Sequence, residues 1–140
     1  MTTITACTRD WVMCSDSYWT DGDECGFTKK VFRIKGALLG GGGTASHLEK
    51  WFDAYRAGKA PARVGDVLVL RLSSVGIDYW NPANGWMLIE QPQWAIGTGG
   101  MAARGAMAAG ATARQAVQIA SDIDATTGGP VRTYRLNSRR

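Results

Sequence analysis

The stretch KKVFRIKGALLGGGGTASHLEKWFDAYRAGKAP, residues 29–61, changes its hydrophobic period halfway along. Lys30 to Ile34 is β-branched and aromatic and predicts a strand. Lys35-Gly36 predicts a turn. Ala37 to Leu39 predicts a second strand running into Gly40-Gly41-Gly42-Gly43. Beyond the glycines the apolar residues recur with helical spacing. Leu48, Trp51, Phe52 and Tyr55 stand at i, i+3, i+4 and i+7 of a helix from about Ser46 to Ala57, capped by Thr44 or Ser46. Gly58 and Pro61 end it.

Upstream, Thr2 to Arg9 alternates and predicts a strand. Asp10 marks a turn, and Trp11 to Ser15 predicts the partner strand. Asp21-Gly22-Asp23-Glu24-Cys25-Gly26 is polar and reads as a loop. Downstream, Asp66 to Leu72 and Val75 to Trp80 predict strands. Asn84-Gly85 is the strongest hairpin turn in the chain and leads into a return strand, Trp86 to Glu90. Ala95 to Thr98 predicts a short strand. Gly99 to Ala109 predicts a closely packing helix rich in small residues. Thr112 is the expected cap of a further helix to about Ile123, with Ala116, Val117, Ile119, Ala120 and Ile123 available for burial. Gly128-Gly129-Pro130 is a turn before a closing strand, Val131 to Leu136. No repeat or linker interrupts the series, so residues 1–140 are expected to form a single domain. Strands, helix, strands, two helices and a strand predict α+β layers, with helices covering mainly antiparallel sheets.

Composition narrows the chemistry. With 45% hydrophobic and 20% charged residues, the chain is globular rather than disordered. Nothing resembles a signal peptide, and no apolar run is long enough to span a bilayer. Cys7, Cys14 and Cys25 are odd in number and lack CxxC spacing. This argues for reduced thiols and a cytoplasmic protein, and against a disulfide framework or zinc site. The charge of +4 gathers late, at Arg132, Arg135, Arg139 and Arg140. A solvated, frayed terminus is the preferred reading; no aromatic interleaving supports a nucleic-acid contact. The single histidine, His47, lies on the predicted helix as a surface residue, so a hydrolase here would draw its base from elsewhere.

Six strings then occur in order: Met1-Thr2-Thr3-Ile4, Cys14-Ser15-Asp16-Ser17, Lys29-Lys30-Val31, Gly41-Gly42-Gly43-Thr44-Ala45, Ala95-Ile96-Gly97-Thr98-Gly99-Gly100 and Asp122-Ile123-Asp124-Ala125-Thr126-Thr127-Gly128-Gly129. Over nearly the whole chain this series resembles the bacterial HslV peptidase and the proteasome β-subunits, which are N-terminal-nucleophile hydrolases. The resemblance implies a four-layer αββα sandwich and a threonine peptidase or amidase. Thr2, exposed by removal of Met1, matches the nucleophile, and its own α-amine would be the base. That amine titrates near neutrality, so no histidine is needed. Lys30 matches the lysine beside the nucleophile, and Asp16 the aspartate that orients it. Gly42 matches the glycine facing the developing oxyanion. Thr98 stands where the family usually has serine, and Asp124 and Thr127 where proteasome subunits place an aspartate and a serine. Thr20 matches a residue that binds substrate as an added strand, with Trp19 and Gly40 near the first specificity pocket; Trp19 equally suits a core or interface. A monovalent cation such as Na+ near Ser121, Asp124 and Thr127 is the only cofactor implied.

The chain also departs from the family. Only Lys59 to Gly65 separates the first helix from the next strand, which leaves no room for the family's second long helix. One sheet face should be partly uncovered, which favours a homo-oligomer. Six tryptophans suit such an interface or the core. No GxxxxGK[ST] string is present, so protein degradation would require an ATP-dependent unfoldase as partner. The alternatives are an inactive scaffold of the same fold, expected if Met1 is retained, and a small basic binding module.

Overall fold

A computed structural model of the chain describes residues 2–136. β1 (Thr3–Cys7) and β2 (Val12–Ser15) pair antiparallel, Ile4 opposite Ser15 and Cys7 opposite Val12. β10 (Gln93–Gly97) joins the other side of β1, and β11 (Arg132–Arg135) the other side of β2. The result is a four-stranded sheet in the order β10-β1-β2-β11. Arg132 and Arg135 are thus strand residues rather than part of a frayed terminus; Arg139 and Arg140 lie outside the described residues.

The second sheet has five antiparallel strands in sequence order: β5 (Val31–Ile34), β6 (Ala37–Gly42), β7 (Leu68–Ser73), β8 (Gly76–Asn81) and β9 (Gly85–Ile89). The expected Asn84-Gly85 turn joins β8 to β9, with Gly85 at φ +67. The strand expected over Ala37 to Leu39 continues through Gly40, Gly41 and Gly42, which form the end of β6, and sterics explain why glycines stand there. A Cβ on Gly40 would stand 2.9 Å from the Ile4 side chain, and one on Gly41 2.7 Å from Leu48. The glycines let the opposite sheet and the helix close onto one strand.

Ile4, Ala6, Met13 and Ile96 from the first sheet meet Val31, Leu38, Leu70, Leu72 and Ile77 from the second, forming the central core. α1 (Ala45–Arg56) covers the outer face of the five-stranded sheet through Trp51 and Phe52. α2 (Gly100–Ala108) and α3 (Ala113–Ile123) cover the outer face of the four-stranded sheet, burying Ala103, Met107, Ala116, Val117 and Ala120. These are the four layers of an αββα sandwich. Thr112 caps α3 as expected, in a reciprocal capping box with Gln115. Ile119 and Ile123 differ from expectation: they are 39% and 69% exposed, because the buried stripe of α3 runs through its alanines.

Two further differences have local causes. The expected loop over Asp21–Gly26 is the tip of a separate hairpin, β3 (Tyr18–Asp21) and β4 (Glu24–Phe27), turned by Gly22 at φ +60. Its polar residues mask the strand period. Thr44 precedes α1 but does not cap it with its side chain. Its hydroxyl and N–H instead go to the Asp66 carboxylate, which also stands 3.5 Å from His47 Nδ1.

As the short connection implies, residues 57–67 contain no helix. Aromatic side chains fill part of that space. Trp51 stacks on Tyr55 at 5.2 Å and meets Trp80 and Trp86 edge-on at 5.6 and 5.8 Å. The Arg71 guanidinium lies 3.8 Å over Trp86 and pairs with Asp78 at 3.0 Å. Leu88, on β9, is 64% exposed. All three cysteines are free thiols. Among the described residues no helix is long and apolar enough to cross a membrane.

Candidate active site

Thr2 sits just ahead of β1, where both sheets end. It is 6% exposed, and a Cβ on Gly42 would stand 3.2 Å from its Oγ1. The missing side chain at Gly42 therefore lets the Thr2 hydroxyl rest against the backbone of β6. Lys30 reaches the same hydroxyl from the residue before β5, with Nζ 3.3 Å from Thr2 Oγ1. Asp16, just after β2, pairs with Lys30 Nζ at 2.9 Å. Its oxygens also accept from Thr3 N at 3.0 Å and Gly128 N at 3.2 Å. Two backbone donors and one ammonium make full burial of this carboxylate tolerable. Burial pushes the Lys30 ammonium below its ordinary pKa, while the Asp16 charge pulls the other way.

On the opposite side, Gly97-Thr98-Gly99 wraps around the start of β1. Thr98 Oγ1 accepts from Thr2 N at 3.3 Å and donates to Asp124 Oδ2 at 2.5 Å. Asp124 lies just beyond α3. It takes further hydrogen bonds from Thr127 Oγ1 at 2.7 Å and Thr126 Oγ1 at 2.9 Å. Partial burial raises its pKa, but the Thr98, Thr127 and Thr126 donors outweigh this and hold it well below the usual carboxylate range. Thr127 also meets Thr3 Oγ1 at 2.8 Å.

Thr2, Asp16, Lys30, Gly42, Thr98, Asp124 and Thr127 therefore converge on one end of the sandwich. Sequence reasoning left Thr3, Thr126 and the backbone roles of Gly97 and Gly99 unassigned. A Cβ on Gly97, at φ +98, would collide with the Thr2 carbonyl, and one on Gly99 with Thr3 Oγ1. Gly97→Ala is accordingly expected to lower stability by about 3 kcal/mol through overpacking and backbone strain, seen as a drop in thermal midpoint. The signal for Gly97 and Gly99 was their place in the glycine string. Thr3 and Thr126 stood in the quoted strings too, but nothing in the sequence assigned them a partner.

The remaining expected residues make no described hydrogen bond with Thr2, Lys30 or Asp124. Trp19 and Thr20 are on exposed β3, close in sequence to Asp16, and the Trp19 ring covers Gly26. Gly40 faces Ile4 and Met13 in the central core. Ser121 turns back on its own helix, donating to Gln118 O at 2.7 Å. Thr127 Oγ1 in turn donates to Asp124 Oδ2 at 2.7 Å.

Solved structures match the fold over nearly the whole chain. Eukaryotic HslV from Trypanosoma brucei superposes with a TM-score of 0.73 at 20% identity, covering 94% of this chain and 97% of that one. The fold is that of HslV and the proteasome β-subunits. BPH from Thiobacillus denitrificans shares the HslV-type fold with a TM-score of 0.75 at 16% identity, covering 98% of this chain and 99% of that one. The same protein in complex with epoxomicin gives 0.74 at 18% identity, over 96% and 99%. No protein-family model and no curated protein matches the sequence.

Proposed function

We propose that this chain is a threonine peptidase or amidase whose nucleophile is Thr2 once Met1 is removed. The observation that carries the reading is Lys30 Nζ at 3.3 Å from Thr2 Oγ1, held there by the buried Asp16. A surface lysine in an ordinary strand has no reason to end on a buried threonine hydroxyl.

The residues support a two-step acyl transfer. Thr2 Oγ1 attacks the scissile carbonyl carbon, and the Thr2 α-amine accepts the hydroxyl proton. The Lys30 charge favours the developing alkoxide, and the backbone at Gly42 receives the oxyanion. When the intermediate collapses, the C–N bond breaks and the α-ammonium returns its proton to the leaving amine. A water, deprotonated by the same amine, then attacks the ester carbonyl and releases the acid and Thr2. Thr98 holds the amine, and Asp124 with Thr127 holds Thr98. Substrate would lie along β3, with Thr20 bonding its backbone and Trp19 and Gly40 near its first side chain. No step requires a cation.

The partly covered five-stranded sheet, with exposed Leu88, supports a homo-oligomer. An ATP-dependent unfoldase is the proposed partner if folded proteins are degraded. The free thiols support a cytoplasmic location. A scaffold without activity remains the competing reading if Met1 stays in place.

The test is intact mass after exposure to an epoxyketone, an electrophile that captures an N-terminal threonine through both its hydroxyl and its amine. Loss of Met1 together with one adduct is the expected result. Retained Met1 with no adduct would transfer the conclusion to the scaffold.

A further inference from the structure

Asp124 anchors Thr98, but the geometry also brings in a hydroxyl that the mechanism above does not use. Thr126 Oγ1 lies 2.9 Å from Asp124 Oδ1 and 3.2 Å from Thr98 Oγ1. Its backbone N–H also points to Asp124 Oδ1, at 3.2 Å. We propose that Thr126 is a positioning residue for the N-terminal amine: its hydroxyl fixes the direction of the Thr98 hydroxyl, so that Thr98 presents a lone pair to Thr2 N.

The argument is one of proton counting. A hydroxyl carries one proton and accepts through two lone pairs. Thr126 gives its proton to Oδ1, and Thr98 gives its own to Oδ2 at 2.5 Å. With the Thr126 proton on Oδ1, that oxygen is already supplied with a donor and the Thr98 proton stays on Oδ2, the two hydroxyl oxygens standing 3.2 Å apart. The remaining lone-pair direction of Thr98 meets Thr2 N at 3.3 Å. Thr127 secures the other side of the carboxylate by donating to Oδ2, while Thr3 donates to Thr127. Take away the Thr126 hydroxyl, and Oδ1 loses a donor, the carboxylate gains freedom to rotate, and the Thr98 proton has a second oxygen within its swing.

The effect must fall on the amine. Its protonated form donates to Thr98, whose oxygen is polarised by the Asp124 charge behind it. A misdirected Thr98 stabilises the ammonium less, so the amine pKa falls and the base weakens. The other charged groups at this nitrogen are Lys30, against Thr2 Oγ1, and Asp16, bound to Lys30. Lys30 also feels the Asp124 charge, so its own titration is followed alongside that of the amine.

The catalytic consequence rests on the threonine-peptidase reading; the effect on the amine does not. The experiment uses chain released from a cleavable N-terminal fusion, so that Thr2 is the first residue whether or not Met1 is removed in the cell. The α-amine pKa is followed by NMR of 15N-threonine-labelled protein, and epoxyketone adduct formation is timed across pH. Thr126→Val keeps the branched shape and removes the hydroxyl. It is expected to lower the amine pKa by about half a unit and, at pH above that pKa, to slow adduct formation by up to about threefold, leaving the inhibitor concentration for half-maximal rate unchanged. Thr126→Ser should restore both. If Thr126→Val fails to fold, Thr126→Ala carries the same expectation. An unmoved amine pKa and rate in a folded variant would overturn the proposal, as would a lower melting temperature with the pKa unmoved, which marks a purely structural threonine. Wild-type protein that forms no adduct, but whose amine pKa still falls on Thr126→Val, would remove the peptidase reading and leave Thr126 in its role.

Discussion

Thr2→Ala is expected to abolish epoxyketone adduct formation and to reduce peptide hydrolysis on the order of 10⁴-fold, the scale seen when a hydrolase loses its nucleophile. The substitution suits the site. Alanine is small, so Met1 removal should proceed and the amine should still appear, which separates chemistry from processing. Thr2 is buried and its hydroxyl meets Lys30, but the contact with Gly42 leaves no room for anything larger. The cavity from Thr2→Ala is one hydroxyl and one methyl, costing about 1 kcal/mol, too little to unfold the chain. Thr2→Ser keeps the nucleophile and should keep the adduct. The measurement is intact mass combined with hydrolysis of a fluorogenic peptide. Adduct formation by the Thr2→Ala protein would place the nucleophile elsewhere and remove the proposed mechanism.

Lys30→Met is expected to act on both rate and stability. It keeps most of the aliphatic stem and removes the charge. Loss of one electrostatic contact to the reacting oxygen lowers the rate of adduct formation about 10²- to 10³-fold. Asp16, which is fully buried, would keep its two backbone donors but lose its counter-charge, at a cost of about 3 kcal/mol in denaturant unfolding. The pH dependence has a definite sign. Burial holds the Lys30 pKa below the ordinary 10.5. The unfolded chain therefore binds this proton more tightly than the folded one, and between the folded pKa and 10.5 the contribution of Lys30 to stability improves as pH rises. The stability gap between wild type and Lys30→Met should widen with pH across that window. The same shift places the alkaline limb of wild-type adduct formation below the usual lysine range. An alkaline limb at the ordinary lysine value, together with a rate unchanged in Lys30→Met, would show that Lys30 is not part of the reaction.

Much of the architecture was legible in short-range pattern. The helical spacing of Leu48, Trp51, Phe52 and Tyr55 located α1, and Thr112 with Gln115 marked the start of α3, because amphipathic period and capping chemistry act within a few residues. The β3–β4 hairpin was hidden, since its charged tip reads as a loop and the pairing of Tyr18 with Phe27 through Asp21 with Glu24 appears only in the structure. Burial along α3 was misjudged at Ile119 and Ile123 because neighbouring alanines, not isoleucines, allow α2 and α3 to approach the four-stranded sheet closely.

The site divides along the same physical line. Residue identity and chain order alone determined that the protein carries a threonine at position 2, a lysine at 30, an aspartate at 16 and glycine strings at the strand ends, in the order of an N-terminal-nucleophile hydrolase. They also excluded histidine-based catalysis in favour of another base, since the single histidine belongs to the start of α1. Which hydroxyl meets which carboxylate was invisible there. Thr2 and Thr98 are 96 positions apart and Thr3 and Thr127 are 124 apart, yet each pair is joined by a hydrogen bond. Such contacts arise only once two sheets and two helices have closed around them, because no local propensity encodes the distance between residues so far apart in the chain. Packing likewise made Gly40, Gly41 and Gly42 a strand end that admits Ile4, Leu48 and Thr2 from different layers. Tertiary closure made Thr126 part of the amine's surroundings and brought Lys30 to the hydroxyl of Thr2.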